Sequence, residues 1–509
     1  MFMNPIQVLI VDYGSQYTLV IGRTLRELGV RSAILSPGKA SRWLRGNNPR
    51  AVILSGSNLF VDRKGALPLP AGLDAKGKNY SVLGICYGMQ LLAYELGGKV
   101  GGTLHHREYG PAVAEVDTKH PLFNKVSKKT KVWASHGDTV TKLPKGFSSI
   151  ARSAGIAGMT NKNDRVLGIQ FHPEVVQTRE GKKILKNFLK LSGCKKDWDP
   201  LDLVKEIQNE VKEIVKKDKV ILGFSGGVDS TTLARILAPV LGSRLICVAI
   251  DTGGVRANEF AEIKANAKSA RVKKLIVVRA ESEFIKNIRT TIDGEEKRKK
   301  FREVYQRIFE REIKKYKAKF IVQGTLATDI IESGQVGKSE MIKTHHNVGL
   351  PWKIKDLHPL RNLFKYEVRE LARALKLPQE VYARQPFPGP GLYLRVVGTP
   401  VDREKLDLVR EADKTVAEIV KKHNLGGEIS QLIVALLGIN SVGVKGDERV
   451  YGHSLAVRGV QTADFMTLQG YHFPEEIINE IISALTKHRG IVRVFFDMTP
   501  KPPATTEFE

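Results

Sequence analysis

Cysteine is nearly missing from this chain: three occur, at positions 86, 194 and 247, among 509 residues. So few thiols exclude a small fold stapled by disulfides and fit a reducing compartment, so a cytoplasmic location is expected. Long apolar runs are missing as well. No window is apolar enough to cross a bilayer, and residues 6–11 lead straight into Asp12-Tyr13-Gly14 as a first strand would, without signal-peptide character. No membrane partner is expected. Aromatic residues make up only 7%, and no nucleic-acid recognition motif accompanies the cations. Although the formal charge is +27, the 81 Lys and Arg are mixed with 54 acids rather than gathered in a block. Nucleic acid is therefore not an expected partner, whereas polyanionic small substrates such as nucleotides suit such a surface.

What is present centres on Val220-Ile-Leu-Gly-Phe-Ser225-Gly-Gly-Val-Asp229-Ser230-Thr231. An apolar run bounded by glycine predicts a buried strand, and helix formers at helical spacing follow, so Ser225-Gly226-Gly227 reads as a tight strand-to-helix turn. Such a turn cradles anions. Glycines admit close backbone approach, and the N–H groups of Val228 and its neighbours present the positive end of a helix dipole. A bare Gly-Gly would be an ordinary turn, but the hydroxyls of Ser225, Ser230 and Thr231 crowd it beside Asp229, which favours phosphate. The pattern is not the Walker loop, because Gly-x-x-x-x-Gly-Lys-Ser/Thr is absent from it. A further predicted strand, residues 244–251, ends in Asp251, and the carboxyl ends of strands in a doubly wound sheet line one crevice. Asp329 and Glu332 are candidate magnesium-related acids, though ordinary exposed charges are the simpler reading of each.

Upstream, residues 6–191 alternate short β-rich runs (6–11, 51–54, 82–85) with helical ones (16–28, 89–96), the rhythm of a mixed α/β fold. Gly84-Ile-Cys86-Tyr-Gly88 has the spacing of a nucleophile elbow. Taken alone, Cys86 would more often be a buried structural thiol. Val166-Leu-Gly-Ile-Gln-Phe-His172-Pro173-Glu174 supplies a base: Pro173 biases His172 to extended backbone, so His172 and Glu174 share a face and the carboxylate can orient the imidazole. Together the three residues form a credible thiol triad.

These segments resemble class I glutamine amidotransferases. The resemblance rests on Asp12-Tyr-Gly-Ser-Gln-Tyr-Thr18, Leu83-Gly-Ile-Cys-Tyr-Gly-Met-Gln90, Trp133-Ala-Ser-His-Gly-Asp138 and Phe171-His-Pro-Glu174, in the family's order. It implies that Cys86 attacks the carboxamide of glutamine and releases ammonia, with Gly56, Tyr87, Gln90, Ser135, His136 and Asp138 around the substrate. After Gly56 the family usually continues Gly-Pro, whereas this chain has Ser57-Asn58. Residues 225–230 resemble the pyrophosphate loop of N-type ATP pyrophosphatases, which implies ATP binding by residues 225–231 and Asp251, with magnesium accompanying ATP at Asp229. No tightly bound organic cofactor is expected.

Residues 192–200 read as a linker and 201–215 as an amphipathic helix. Asp293-Gly-Glu-Glu-Lys-Arg-Lys-Lys-Phe-Arg-Glu reads by default as a solvated helix face, with a mobile cationic lid as the alternative. Residues 343–351 read as a flexible substrate loop. Arg384-Gln-Pro-Phe-Pro-Gly-Pro-Gly391 marks a rigid junction. Beyond it, strands are expected at 392–398, 443–446, 454–460 and 491–497, with helices at 403–422 and 474–485. The tail after Lys501 would ordinarily be disordered, yet Lys501, Thr505 and Thr506 offer a cation and two hydroxyls to a phosphate.

Together with Pro386-Phe-Pro-Gly-Pro-Gly391 and Lys501-Pro-Pro-Ala-Thr, the second and third regions resemble the glutamine-hydrolysing GMP synthase family. That resemblance implies three parts: an amidotransferase domain at 1–194, a doubly wound parallel-sheet ATP pyrophosphatase domain at 195–384, and an α+β dimerisation domain at 385–509 making a homodimer. It implies ATP-driven amination of XMP to GMP through an adenylyl intermediate, with Arg298, Lys501, Thr506 and Glu507 at the acceptor. Departures are Thr252-Gly-Gly where the family commonly has Asn-Gly-Leu, one glycine fewer before Leu350, and Phe508 for a usual Trp. Two other readings stay open: the same architecture aminating a different acceptor, and a catalytically degenerate basic binding protein.

Overall fold

A computed structural model describes residues 5–63, 65–102, 107–332, 354–462, 467–488 and 490–509. Residues 343–351 and Ser333 lie outside the described residues. The chain divides into two compact units, one built mainly on residues up to Leu203 and the other holding most of the chain from Val204 onward.

The first unit is organised by short Val/Ile/Leu runs that can hide both faces. Val8–Val11, Ser32–Leu35, Ala51–Leu54, Ser81–Ile85 and Val166–Ile169 pair in parallel, in the order 32–35, 8–11, 51–54, 81–85, 166–169. All but Ser32–Leu35 are buried along their length, as strands covered on both faces must be. Each fully buried side chain such as Ile10, Ile53 or Leu83 contributes about 1.5–3 kcal/mol. The sheet continues into an antiparallel part that includes Glu108–Val116, Lys129–His136, Phe147–Arg152 and Ile156–Asn161. That part was not foreseen from the sequence, because strands such as Glu108–Val116 carry mixed polar and apolar residues.

The second unit contains two sheets. One is wholly parallel, in the order Leu275–Arg279, Leu245–Asp251, Val220–Gly223, Phe320–Val322, Lys355–Leu357. Chain order reverses at Val220–Gly223, the switch point at which a doubly wound sheet opens a crevice. The other sheet is dominated by an antiparallel hairpin, Gln431–Lys445 with Glu448–Gln461, turned by Gly446 and Asp447 at φ 57° and 64°. Helices Arg403–Lys422 and Glu475–Thr486 belong to this part, the first with the bounds its periodicity predicts. One apolar core runs through both parts: Phe284, Phe301 and Ile308 share it with Tyr393, Val409, Leu436 and Leu455.

Two expectations need correcting. Residues 392–398 are not a strand: Gly391–Arg395 is a 3₁₀ turn, and only Val396–Val397 pairs. Gly391 starts that turn at φ 64°, and a Cβ there would lie 2.1 Å from the Gly254 carbonyl oxygen, so close backbone approach decides the conformation. The charged segment after Asp293 is helical, Gly294–Tyr316, but not uniformly solvated. Lys297 is 0% exposed, its Nζ 2.5 Å from both the Val396 carbonyl and Glu509 Oε2. An ammonium leaves water only for such partners.

Candidate functional site

In the first unit the chemistry gathers at the carboxyl ends of three adjacent parallel strands. Ala51–Leu54 delivers Gly56, Ser81–Ile85 delivers Cys86, and Val166–Ile169 delivers Gln170 and His172; Ile85 is in register with Ile169. Cys86 has φ 52° and caps the helix Tyr87–Glu95, a left-handed bend costly for a residue with a Cβ. The glycines of the elbow make it possible. A Cβ on Gly88 would lie 2.4 Å from the Leu54 carbonyl oxygen, and one on Gly84 would lie 2.5 Å from the Gly88 backbone.

His172 is 3% exposed, and its Nδ1 lies 2.8 Å from Glu174 Oε1, whose side chain is wholly buried. Burial alone would depress the imidazole pKa; the Glu174 carboxylate and the hydrogen bond with Cys86 overcome it and hold His172 well above its ordinary value. The backbone is fixed too: His172 N donates to the Trp133 carbonyl at 2.9 Å, and Thr178 Oγ1 donates to the His172 carbonyl at 2.5 Å. Tyr17 sets its ring edge-on to the imidazole at 4.8 Å. The other two thiols differ in kind. Burial pushes both Cys194 and Cys247 up to about 12, which keeps them protonated and unreactive.

Gln170 was not picked out from the sequence. Its Nε2 donates to Cys86 Sγ at 3.7 Å and its Oε1 accepts from Gln90 Nε2 at 3.4 Å, while Gln90 also donates to the Asp138 carbonyl at 2.6 Å. The signal was available, since residues 170 and 172 lie two apart on extended chain and share a face. Gly56 packs against His172, whose Cε1 would be 3.1 Å from a Cβ there. Ser135 offers its carbonyl to Cys86 Sγ at 3.7 Å. His136 is buried with Nε2 3.4 Å from Glu108 Oε2, and Ser153 Oγ donates to the same carboxylate at 2.6 Å. Burial opposes ionisation of Glu108, but these two bonds win and lower its pKa. Tyr87 is buried: its hydroxyl meets the Leu67 backbone, and its ring lies 5.4 Å from Tyr13. Ser57 Oγ donates to the Tyr13 carbonyl at 2.8 Å, so the Ser-Asn variant of the loop has its own anchor.

In the second unit, residues 225–230 sit at the switch point, between Val220–Gly223 and the helix Val228–Leu241, which Gly227 caps. Gly226 has φ 71°, and a Cβ there would meet Ile263 at 2.7 Å. Ser225 Oγ and Ser230 Oγ lie 3.2 Å apart, and Gly227 N donates to Ser225 Oγ at 3.3 Å. Asn266, also unforeseen, donates Nδ2 to the Gly226 carbonyl at 2.9 Å and fixes the turn from the neighbouring helix Glu259–Ser269. Asp229 Oδ2 pairs with Lys365 Nζ at 2.5 Å, while its Oδ1 is buried without a partner. Thr231 is fully buried, its Oγ1 without a hydrogen-bond partner. Asp251 ends its strand as expected and accepts from Gly253 N at 3.2 Å through Oδ1. Asp329 lies on the helix Ala327–Glu332, which belongs to the first unit; among the described residues no cluster of three or more His, Cys, Asp or Glu could hold a metal.

Known proteins share this combination. Residues 9–191 match the class I glutamine amidotransferase family, 219–306 the arginosuccinate synthase N-terminal HUP domain, and 418–508 the GMP synthase C-terminal domain. A glutamine-hydrolyzing GMP synthase of Treponema denticola is 41% identical over 513 residues, covering 99% of this chain and 97% of the relative. The chain belongs to the glutamine-hydrolyzing GMP synthase family. That of Thermosipho melanesiensis is 42% identical, with 99% of both chains covered. The solved structure of a GMP synthase subunit from Thermoplasma acidophilum is 32% identical over 38% of this chain and 96% of that one, with a TM-score of 0.33. As a member of this family the chain is a C–N ligase with glutamine as nitrogen donor.

The residues assigned to the acceptor by the GMP synthase resemblance lie in and around an ordered tail. Leu468 and Lys501 exchange backbone hydrogen bonds, and Arg458 Nε and Nη2 donate to the Thr506 and Thr505 carbonyls at 3.3 and 3.2 Å. Glu507 Oε1 accepts from Gln431 Nε2 at 2.7 Å and Arg395 Nη2 at 3.4 Å, and Arg298 Nη2 donates to the Glu509 carbonyl at 2.5 Å. The junction at 384–391 carries Phe387, whose ring centroid lies 4.3 Å from the Arg256 guanidinium and 4.9 Å from that of Arg395.

Proposed function

We propose that this chain converts XMP to GMP, using ATP to activate the purine 2-oxygen and glutamine as the source of ammonia. The observation that carries the reading is the pairing, in one chain, of a buried Cys86–His172–Glu174 relay with a switch-point turn at 225–230 that presents hydroxyls and an unpartnered Asp229 oxygen. The full-length relatives bear the name of that activity.

Cys86 Sγ attacks the carboxamide carbon of glutamine. His172, held as imidazolium by Glu174, protonates the leaving nitrogen, so ammonia departs and a γ-glutamyl thioester remains. Water delivered through the same imidazole releases glutamate and restores the thiol. In the second unit, the 2-oxygen of XMP attacks the α-phosphorus of ATP and pyrophosphate leaves into the 225–230 turn. Ammonia then adds at C2 and AMP departs with its former oxygen. Adenylylation is needed because a purine oxygen is a poor leaving group until it carries a phosphoryl group. Magnesium bound with ATP would supply charge neutralisation on the phosphates, and Asp229, with one buried, unpartnered carboxylate oxygen, would hold it.

Gly56, Tyr87, Gln90, Ser135, His136 and Asp138 would surround glutamine, and Arg298, Lys501, Thr506 and Glu507 would surround XMP. The functional divisions run 1–194, 195–384 and 385–509. The third would join two copies: Ile439, Val442, Val444 and Tyr451 are exposed on the long hairpin, Tyr451 by 67% and paired across from Val442, an apolar face suited to a second copy. Three free thiols fit a reducing cytoplasm. The test mixes ATP, magnesium, glutamine and XMP. GMP, AMP, pyrophosphate and glutamate should form together, and ADP as the nucleotide product would contradict adenylylation.

A further inference from the structure

The loop that follows Asp251 is held along its whole length by the C-terminal part of the second unit. Four successive backbone carbonyls, those of Thr252, Gly253, Gly254 and Val255, accept hydrogen bonds from Tyr393 Oη at 2.6 Å, Arg410 Nη2, Leu392 N at 2.8 Å and Arg410 Nε at 3.0 Å. Arg410 is fully committed, because its remaining nitrogen pairs with Asp407 one turn earlier on the helix Arg403–Lys422. Steric fit is equally close. A Cβ on Gly254 would lie 2.5 Å from the Tyr393 ring and one on Gly391 would lie 2.1 Å from the Gly254 carbonyl oxygen. The departure to Thr252-Gly-Gly therefore has a reason in this chain: a side chain at 254 would collide with Tyr393.

The clamp reaches a functional carboxylate. Gly253, whose carbonyl Arg410 holds, donates its N–H to Asp251 Oδ1 at 3.2 Å, so loop position sets carboxylate position. Burial raises the Tyr393 pKa, which keeps its phenol protonated and donating. The same helix bears Asp413, which pairs with Arg395 at 2.6 Å and Arg256 at 3.2 Å, and Arg395 reaches Glu507 in the tail.

We propose that Arg410 is a positioning residue for the nucleotide half-reaction: acting through the carbonyls of Gly253 and Val255, it sets the Asp251 loop for ATP. The C-terminal part thereby serves ATP chemistry as well as pairing of subunits. This rests on the reading of residues 225–231 and Asp251 as the ATP site. The experiment uses the full chain driven by ammonium salt, with saturating XMP, and measures KM for ATP and for XMP beside glutamine hydrolysis. Arg410→Met should raise KM for ATP about tenfold or more, leave KM for XMP and glutaminase within twofold, and be partly rescued in Arg410→Lys. Tyr393→Phe, which removes one hydroxyl and keeps the ring, should move KM for ATP in the same direction by less, and it decides the matter if Arg410→Met does not fold. An unchanged KM for ATP, or equal rises for ATP and XMP, overturns the proposal. Asp229→Ala run alongside separates the two readings: pyrophosphate release surviving there sinks the ATP site itself, whereas its loss with a normal Arg410→Met sinks only the clamp.

Discussion

Glu174 Oε1 lies 2.8 Å from His172 Nδ1, and neither side chain is more than 3% exposed. A carboxylate with one oxygen on the imidazole and the other buried without a partner has little to stabilise its charge except His172 in its protonated form. Glu174→Gln should thus lower glutamine hydrolysis by about two to four orders of magnitude while ammonium-driven synthesis persists. Parallel assays with the two nitrogen sources read this directly, and equal losses in both would refute it.

The pH dependence follows from the same pair. Burial disfavours the imidazolium, but Glu174 and Cys86 outweigh it and the folded pKa is raised. A raised basic group contributes stability that is complete below its ordinary value near 6.5 and is lost as pH climbs through the folded value. Glutaminase should lose its acid catalyst over that same alkaline limb. In Glu174→Gln the limb should move to lower pH, and a pH profile with an unmoved limb would assign it to another group.

Cys86→Ala removes the proposed nucleophile and nothing from the second unit. Glutamine-dependent synthesis should vanish and ammonium-dependent synthesis should remain near the native rate. Retained glutamine use would take Cys86 out of the mechanism.

Gly88→Ala tests the elbow as a packing device. The added methyl would sit 2.4 Å from the Leu54 carbonyl oxygen, against backbone that cannot step aside. A loss of about 1–3 kcal/mol is expected, read as a lower denaturant midpoint together with lost glutaminase.

Tyr451→Asp places a charge on the exposed apolar face of the hairpin, opposite Val442. If this face joins two copies, sedimentation should show a shift from dimer to monomer at micromolar protein with the fold intact. An unaltered dimer would place the interface elsewhere.

Much of the candidate site is legible in the sequence because its signals are local. Gly84-x-Cys86-x-Gly88 and the hydroxyl-rich turn at 225–231 are strand-to-helix turns whose glycines and apolar flanks announce them. His172 and Glu174 share a face because Pro173 keeps the chain extended. Gln170 could have been found by the same alternation. The long hairpin was only glimpsed at 443–446 and 454–460, since residues 432–436 are buried continuously and show no period-two alternation. The burial of Lys297 could not be read at all. Its partners, Val396 and Glu509, lie 99 and 212 residues away.

By itself the sequence determined the local arrangements: a thiol on a glycine-flanked elbow, a histidine and a carboxylate two residues apart, and a hydroxyl-rich glycine turn at the end of a buried strand. Each depends on backbone geometry within a few residues, which local sterics and hydrogen bonding dictate. Tertiary structure alone decided which distant groups complete them. Register between parallel strands set Gln170 beside Cys86, and close backbone contact turned 391–395 into a 3₁₀ bend. The helix Arg403–Lys422 took the carbonyls of Gly253 and Val255 through Arg410. Such contacts join residues far apart in the chain, where packing and the need to satisfy buried polar groups choose among partners that local pattern leaves open.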